Sequence, residues 1–312
     1  RPTARTSDGD HDAAARRIHQ ALYLAHNSSF ELHALRADAL ANLGDLTSAA
    51  HHLKRAVALS DGAAPTAPDG AWISPIVNRQ LRVRLARMLD ASALAHLKAG
   101  ARRHALRLLD EAVGVCHDDA DCAPTLHLHR ALVRMDLEQY APALADLERA
   151  ARPDAETGLA AAPGLAPADA AFLRARLLLL DKRSGGHARA AVDEALRHDA
   201  THAAARDLVV EMDRLAAAKA DEATRLALRG RAAAAKVGFS EATALAPDQR
   251  QLRLRYASAL QAAGELEQAT SELERALERV GGRCVETSRR LALAYNEMGA
   301  RTTSKGDFAL AS

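Results

Sequence analysis

The stretch RYASALQAAGELEQATSELERALERVG, from Arg255 to Gly281, places small residues at fixed offsets and offers few groups for chemistry. Its first half is rich in helix-forming residues, Gly264 marks a turn, and its second half is helix-forming again. Ala257, Ala269 and Ala276 stand where an ordinary core helix would carry bulk. The stretch therefore predicts two helices that cross closely.

The spacing of these small residues fits one repeat pattern. Counted from Arg250, the two large positions of that pattern are filled by Leu260 and Leu273, and the turn by Gly264. The tetratricopeptide repeat is a helix–turn–helix unit of about 34 residues with small and large residues at such sites. Small residues at a crossing let two backbones approach and leucines interdigitate.

The same template fits five more stretches, which begin near Phe30, Ala86, Pro124, Ala168 and Ala216. Near Ala168 it needs one inserted residue, and its markers there are Ala175, Ala188, Val192 and Ala195. In the other units we predict that the small residues serve repeat packing; they are Ala37, Gly44, Ala49, Ala56, Ala93, Gly100, Ala105, Ala112, Ala131, Ala143, Ala150, Ala223, Gly230, Ala235, Ala242, Ala257, Gly264, Ala269 and Ala276.

The predicted fold class is all-α, an α-solenoid with a right-handed superhelix of tetratricopeptide helix–turn–helix repeats. Residues 1–312 form one continuous solenoid fragment in this interpretation, which begins and stops inside repeats. The predicted repeats are 11–27 (half), 30–63, 86–119, 124–157, 168–202, 216–249, 250–283 and 292–312 (partial). Insertions are predicted at about 60–80 and 151–170, where proline and glycine gather.

The composition narrows the function classes. Aromatic residues make up only 3% of the chain, which argues against a β-sandwich or barrel. A net charge of +2 gives no strong field for nucleic acid or an anionic membrane, and no apolar run approaches the length of a membrane span. Three cysteines do not build a disulfide framework, so a reducing interior such as the cytoplasm is expected.

The segment CHDDADCAPTLHLHR, from Cys116 to Arg130, is the most suggestive of a site. Cysteine and histidine together can bind zinc, but five residues separate these cysteines where structural sites commonly have two. His127 and His129 are two apart and so do not face each other on a helix. We expect an inter-repeat loop and helix cap with Pro124 at an early helical position; a metal site and a cysteine bridge are the alternatives.

Other motifs predict structure rather than catalysis. RSGGHAR, from Arg183 to Arg189, lacks the spacing of a phosphate loop and is expected to be a turn. Neither a catalytic residue nor a cofactor or metal ligand is predicted. For partner contacts, two interpretations stay open: Trp72 tucks onto the solenoid or anchors a partner, and the basic run from Arg79 is a solvated face or meets an acidic protein. The candidate contact residues are Trp72, Ile73, Arg79, Arg82 and Arg84.

Three segments also carry a resemblance to a known family. ALYLAHNSSFELHALRADALANLGDLTSAAHHLKRAVAL (Ala21 to Leu59), FLRARLLLL (from Phe172) and SRRLALAYNEMGARTTSKGDF (Ser288 to Phe308) resemble parts of a ciliary tetratricopeptide-repeat family, that of tetratricopeptide-repeat protein sixteen. The two predicted insertions depart from that family's pattern. The resemblance implies a non-enzymatic protein of the cytoplasm and cytoskeleton, located in the axoneme of a cilium or flagellum.

The predicted function is therefore a non-enzymatic scaffold for protein–protein interaction, part of a large assembly associated with microtubules. Its partners are proteins, with tubulin or other axonemal proteins implied by the resemblance, and neither nucleic acid nor membrane. The alternative is a soluble adaptor or co-chaperone that binds peptide tails of partner proteins. The lysines and asparagines with which some such solenoids clamp a chaperone tail are absent at Ala34, Asp38, Leu254 and Ser258. A metal-dependent enzyme centred on Cys116 to His129 is the third hypothesis.

Overall fold

The computed structural model describes residues 4–25, 29–61, 75–116, 122–151, 161–181, 185–278 and 284–304. Every regular element in these residues is an α-helix. The chain divides into two compact units, Arg1–Leu165 and Ala166–Ser312.

The first unit holds seven helices among its described residues. They are α1 (Ala4–Leu24), α2 (Phe30–Asn42), α3 (Leu46–Asp61), α4 (Pro75–Lys98), α5 (Arg102–Cys116), α6 (Ala123–Asp136) and α7 (Tyr140–Ala151).

The described residues of the second unit also form seven helices. They are α8 (Pro167–Leu180), α9 (Gly185–His198), α10 (Ala203–Leu228), α11 (Ala232–Leu245), α12 (Arg250–Ala262), α13 (Leu266–Glu278) and α14 (Val285–Ser304).

Helices pack mainly against their neighbours in the chain. The most extensive packing joins the pairs α2–α3, α4–α5, α6–α7, α8–α9, α10–α11 and α12–α13, and each pair also packs against helices that precede or follow it in its unit. This is the nearest-neighbour arrangement of a solenoid, in which stacked hairpins bury a shared core. The fold is thus an α-solenoid of tetratricopeptide-type hairpins, as the spacing of small residues predicts.

The turn inside four of the hairpins is set by a glycine. Gly44, Gly100, Gly230 and Gly264 have φ between 77° and 83°, the left-handed region that glycine enters without steric cost. The N–H of Gly44 donates to the carbonyl of Ala41 at 3.0 Å, and the N–H of the next residue donates to Leu40 at 3.0 Å. These two bonds form a Schellman cap, which satisfies carbonyls at the end of α2 and reverses the chain.

The α6–α7 hairpin makes the same turn without glycine. Glu138 takes the left-handed position with φ of 60°, and the N–H of Gln139 donates to the carbonyl of Arg134 at 2.8 Å. A side chain with a Cβ is strained in this conformation. The sequence analysis predicts no turn residue for this unit, and the structure identifies Glu138 in that role.

Two helices are longer than a repeat requires. α4 has 24 residues and begins at Pro75, so residues 75–80 of the predicted first insertion are helical. α10 has 26 residues and begins 13 residues before the repeat predicted from Ala216. It packs most extensively against α11 and also packs against α8, α9 and α12.

Leucines and alanines form the cores of the units. In the first unit Leu53, Leu85 and Leu109 are at most 2% exposed, and in the second Met212 and Phe239 are at most 4% exposed. Each fully buried side chain of this size contributes roughly 1.5–3 kcal/mol through removal of apolar area from water.

Candidate functional site

The small residues that the repeat pattern predicts lie where helices cross. All fifteen of the predicted alanines are 3% exposed or less. Sequence reasoning missed Gly238, where an added Cβ would lie 2.9 Å from the Cβ of Ala223. These positions bring backbones together and are not available to a partner.

An open groove runs along one face of α4. Its volume is about 340 Å³, and it is lined at helical spacing by Ile76, Arg79, Gln80, Val83, Arg84 and Arg87. Residues three and four apart share a helix face, so this set is one stripe. The stripe combines three guanidinium groups with two aliphatic side chains and holds no carboxylate of its own.

The stretch that carries the groove is basic well beyond it. Between Pro75 and Arg107 the only acidic residue is Asp90. Its Oδ1 atom lies 2.7 Å from Nδ1 of His129. Eight basic residues occupy the same stretch, namely Arg79, Arg82, Arg84, Arg87, Lys98, Arg102, Arg103 and Arg107. The whole chain has a net charge of only +2. The positive charge of this region is therefore balanced by acidic residues elsewhere in the chain.

Of the three predicted contact arginines, Arg79 and Arg84 lie in the groove. The Nη2 atom of Arg84 donates to Asp38 and, at 3.4 Å, to the carbonyl of Ala34. Both partners belong to α2, so Arg84 ties the groove to the neighbouring hairpin. The side chain of Arg84 is 40% exposed, which leaves part of the guanidinium accessible.

Arg82 faces away from the groove. Its Nη2 atom donates to both carboxylate oxygens of Asp61 at 2.8 Å, and its Nε atom donates to Asn78 at 2.8 Å. Burial raises the pKa of Asp61, but hydrogen bonds from Asn78 and Arg82 outweigh that effect and lower it. Arg82 therefore fastens the end of α3 to α4.

Trp72 and Ile73 lie outside the described residues. The two predicted insertions lie partly outside them as well, since 62–74 and 152–160 fall in the gaps. The prediction that Trp72 packs on the solenoid or anchors a partner stays a prediction.

Two further grooves, of about 330 and 320 Å³, flank α13. Glu267 and Gln268 line both, and Arg301 or Arg275 lies at their edges. Both grooves contain charges of either sign, and Glu272 already accepts from Arg253 at 2.6 Å and from Arg275 at 2.8 Å. Neither groove therefore has a predominantly positive or negative lining that would favour a partner of opposite charge.

The cysteine and histidine segment connects α5 to α6 and contains a disulfide. Cys116, the last residue of α5, forms a disulfide with Cys122, which precedes α6, and their Cα atoms are 6.4 Å apart. The cysteine bridge was an alternative to a simple loop and cap, and it forms because the short connection returns the chain within the distance that a disulfide spans. Pro124 lies in the first turn of α6, as expected. Residues 117–121 lie outside the described part of the chain.

The two histidines of this segment point to different helices. His127 contacts Asp146 of α7 at 3.2 Å, whereas His129 contacts Asp90 of α4 at 2.7 Å. Within the described stretches, no group of three or more His, Cys, Asp or Glu side chains is arranged to hold a metal ion. The segment joins two hairpins through the disulfide and through the contact of His129 with α4.

Asp146 is the centre of a buried ion-pair network. It is 1% exposed and accepts from Nε and Nη2 of Arg130 at 2.8 and 2.7 Å, and from Arg134 at 2.7 Å. Burial raises the pKa of this carboxyl, but hydrogen bonds from His127 and Arg130 lower it to about 2. The network locks α6 to α7, and Asp110 of α5 joins it at the surface through Arg130 at 3.0 Å.

Arg189, the last residue of the motif RSGGHAR, is the centre of a second ion-pair network. Arg189 is 9% exposed and donates to Asp193 at 3.3 Å, Asp213 at 3.2 Å and Asp248 at 3.1 Å. These carboxylates come from α9, α10 and the connection after α11. The guanidinium thus ties consecutive hairpins together, and its anionic partners are aspartates of the chain itself.

Neither a protein-family model nor a curated protein matches the chain. Among solved structures, the P58(IPK) TPR domain is similar over 95% of this chain and 86% of its own, with 17% identity and a TM-score of 0.36. A tetratricopeptide repeat protein from Parabacteroides merdae ATCC 43184 is similar over 89% of this chain and 87% of its own, with 16% identity and a TM-score of 0.34.

The TPR2AB-domain:pHSP90 complex of yeast Sti1 is similar over 73% of this chain and 90% of its own, with 16% identity and a TM-score of 0.32. The assignment of the fold rests on the hairpins themselves, their Schellman turns and their buried alanines. Among the helices described here, none combines the length and apolar character that crossing a membrane requires.

Proposed function

We propose that this protein is a non-enzymatic scaffold that binds an acidic segment of a partner protein along α4. The observation that carries the proposal is the groove in which Arg79, Arg84 and Arg87 alternate with Ile76 and Val83. Guanidinium groups bind carboxylates through paired hydrogen bonds, and the aliphatic side chains give the intervening residues of a peptide an apolar contact.

The same arrangement favours a peptide over nucleic acid. Single-stranded nucleic acid is held by basic grooves in which aromatic side chains stack on the bases. The α4 groove is lined by aliphatic and not aromatic residues. The alternation of charge and aliphatic carbon suits an extended chain with acidic side chains.

The strength and salt dependence of binding follow from the exposure of the groove arginines to water. Exposed ion pairs contribute about 0.2–1 kcal/mol each, and salt screens them within a Debye length of about 10 Å at 0.1 M. Ion pairs of a peptide with these arginines, which also have contacts within the chain, give weak binding that falls as salt rises. An assembly that presents several copies of the acidic segment would strengthen it through avidity.

The finer part of the proposal is an axonemal role. The segments Ala21 to Leu59 and Ser288 to Phe308 resemble a ciliary tetratricopeptide-repeat family, which supports a structural component bound to microtubules, with tubulin or axonemal proteins as partners. A tagged copy expressed in ciliated cells should follow the axoneme. A diffuse signal throughout the cytosol would argue instead for the soluble adaptor that binds peptide tails.

Peptide binding to the purified chain tests the groove. The probe is a fluorescent ten-residue peptide of alternating Glu and Gly, and the control peptide has Gln in place of Glu. We expect anisotropy to show salt-dependent binding of the acidic peptide only. The double substitution Arg79→Glu, Arg87→Glu should weaken it at least tenfold, because it reverses two of the three charges.

The matched control reverses two arginines outside the groove, Arg102→Glu and Arg103→Glu, and should change the affinity less than threefold. Equal losses in both double variants would show that net charge alone attracts the peptide. Equal binding of the Gln peptide, or displacement of the acidic peptide by a lower concentration of single-stranded oligonucleotide, would contradict the proposal.

A further inference from the structure

Two histidines face each other between α2 and α3. The Nδ1 atoms of His33 and His52 are 3.0 Å apart, and their rings stack with centroids separated by 5.2 Å. His33 is 4% exposed. At this distance one Nδ1 must donate a proton and the other must accept it through its lone pair, so the contact requires that at least one imidazole be neutral.

A third histidine joins α1 to the same place. Nη1 of Arg36 in α2 contacts Nδ1 of His19 in α1. Guanidinium nitrogen is always a donor, so the Nδ1 of His19 must carry a lone pair rather than a proton. Both contacts that converge on α2 therefore depend on neutral imidazole.

The charged and titratable groups that act on His52 oppose an added positive charge on its ring. The groups that act on His52 are the cation Arg36 and the histidines His33, His51 and His19. Among the side chains of α1, α2 and α3 that the structure describes, the acidic groups are engaged elsewhere: Asp12 with Arg16, Glu31 with Ser29, Asp38 with Arg84 and Asp61 with Arg82. In α5, Glu111 contacts Lys54.

We propose that His19, His33 and His52, together with Arg36, form an acid-sensitive latch that holds α1, α2 and α3 together. Neutral imidazoles close this histidine latch. Protonation removes the acceptor in both contacts and gathers positive charge around Arg36, which opens the seam between the three helices. The inference is independent of what the α4 groove binds.

The expected response to pH has a definite sign. Burial, then Arg36 and His33, lower the pKa of His52 from 6.5 to about 4 in the closed state. A group whose pKa is depressed on closing favours the closed state above its ordinary pKa and loses that contribution as pH falls through the depressed one. Between pH 7.5 and pH 5, the open-to-closed ratio should rise about 10- to 30-fold.

Opening would reach the groove through α2. Asp38 and the carbonyl of Ala34, which hold Arg84, lie two residues either side of Arg36 on this helix. Opening of the histidine latch would therefore change the position of Arg84 through a movement of α2.

Hydrogen exchange of the full chain, read by mass spectrometry, tests the latch. With rates corrected for the intrinsic effect of pH on amide exchange, we expect peptides from α1, α2 and α3 to exchange about 10- to 30-fold faster at pH 5 than at pH 7.5. Peptides from α12 and α13 should change less than threefold. The double substitution His33→Leu, His52→Leu should reduce the response of α2 and α3 to less than threefold, because apolar groups replace both partners.

His187→Gln, which removes an exposed histidine of α9, is the control and should keep the full response. A second measurement avoids dependence on a variant that fails to fold: histidine NMR of the unmodified chain should show His52 titrating below pH 5. A uniform rise in exchange over all helices, a persistent response in the double variant, or titration of His52 near pH 6.5 would each overturn the proposal.

Discussion

Replacing Asp146 with asparagine should destabilise the first unit by about 3–5 kcal/mol, because it removes the buried carboxylate and leaves the half-exposed Asp110 as the remaining counter-charge of Arg130. The carboxylate is 1% exposed and accepts from Arg130 at 2.7 and 2.8 Å and from Arg134 at 2.7 Å. The amide keeps one acceptor oxygen and turns an N–H₂ group toward guanidinium donors. For a unit of this size each kcal/mol lowers Tm by roughly 2–4 °C, so a fall of about 6–20 °C is expected.

A matched variant at the edge of the same network is the control. Asp110 contacts Arg130 at 3.0 Å and Arg134 at 3.1 Å, but its side chain is 46% exposed. Because water solvates that carboxylate, Asp110→Asn should cost less than about 1 kcal/mol. Urea unfolding followed by circular dichroism measures both. Similar losses in the two variants, or a loss below 1 kcal/mol for Asp146→Asn, would refute the assignment of Asp146 as the buried centre.

The same carboxylate makes stability depend on acid. Its pKa is about 2 in the folded chain against an ordinary 3.8. A depressed pKa contributes stability that is fully present above pH 3.8 and is lost as pH falls through 2, to a total of roughly 2 kcal/mol. Asp146→Asn should remove that part of the acid sensitivity.

Three further predictions concern packing, turns and thiols. Ala257→Leu should destabilise the second unit by roughly 1–3 kcal/mol in urea titration through overpacking, whereas Ala262→Leu, on the exposed side of α12, should stay within about 0.5 kcal/mol; equal effects would show that the crossing is not tight. Glu138→Gly should stabilise the chain and Gly44→Ala should destabilise it, each by about 1 kcal/mol, because only glycine relaxes in the left-handed region; effects of the same sign would contradict the turn assignment. Of the three cysteines, only Cys284 should react with a thiol reagent before reduction, and all three should react after reduction and denaturation; three reactive thiols in the native, unreduced chain would show that the disulfide is absent.

The residue spacing was sufficient to predict the hairpins because their packing depends on small side chains at fixed intervals. Ala257 and Ala276 occupy crossings that admit only a methyl group, and Gly264 occupies a backbone conformation that favours glycine. Such constraints are local and repeat with each unit, so they are visible in the sequence. The basic run from Arg79 gave Arg79, Arg82 and Arg84 as candidate contacts, and the structure places Arg79 and Arg84 in the groove together with Arg87, which that prediction omitted.

What the sequence did not predict depends on distance in the chain. The contact between His33 and His52 spans two helices, and the three partners of Arg189 come from separate segments. Glu138 was not predicted as a turn residue because glycine usually occupies this left-handed position. No sequence pattern links these residues to their partners, so only the packed structure brings them together.

The bridge between Cys116 and Cys122 also bears on the compartment in which the protein works. Disulfides are rare in cytosolic proteins, where glutathione and thioredoxin keep thiols reduced, so the bond and the expectation of a reducing interior favour different environments. In a loop of this length a disulfide contributes roughly 2 kcal/mol, and the bond closes the connection between α5 and α6. Alkylation of the thiols in intact cells would report which environment holds.

Site-specific photo-crosslinking tests most directly that α4 is the face which receives an acidic partner. A photoreactive residue would replace Gln80 in the groove, and in a control chain it would replace Glu148, an exposed position of α7. Irradiation with the alternating Glu–Gly peptide should label the chain modified at position 80, and labelling should disappear at high salt. Equal labelling from both positions, or labelling from position 148 alone, would contradict binding at α4.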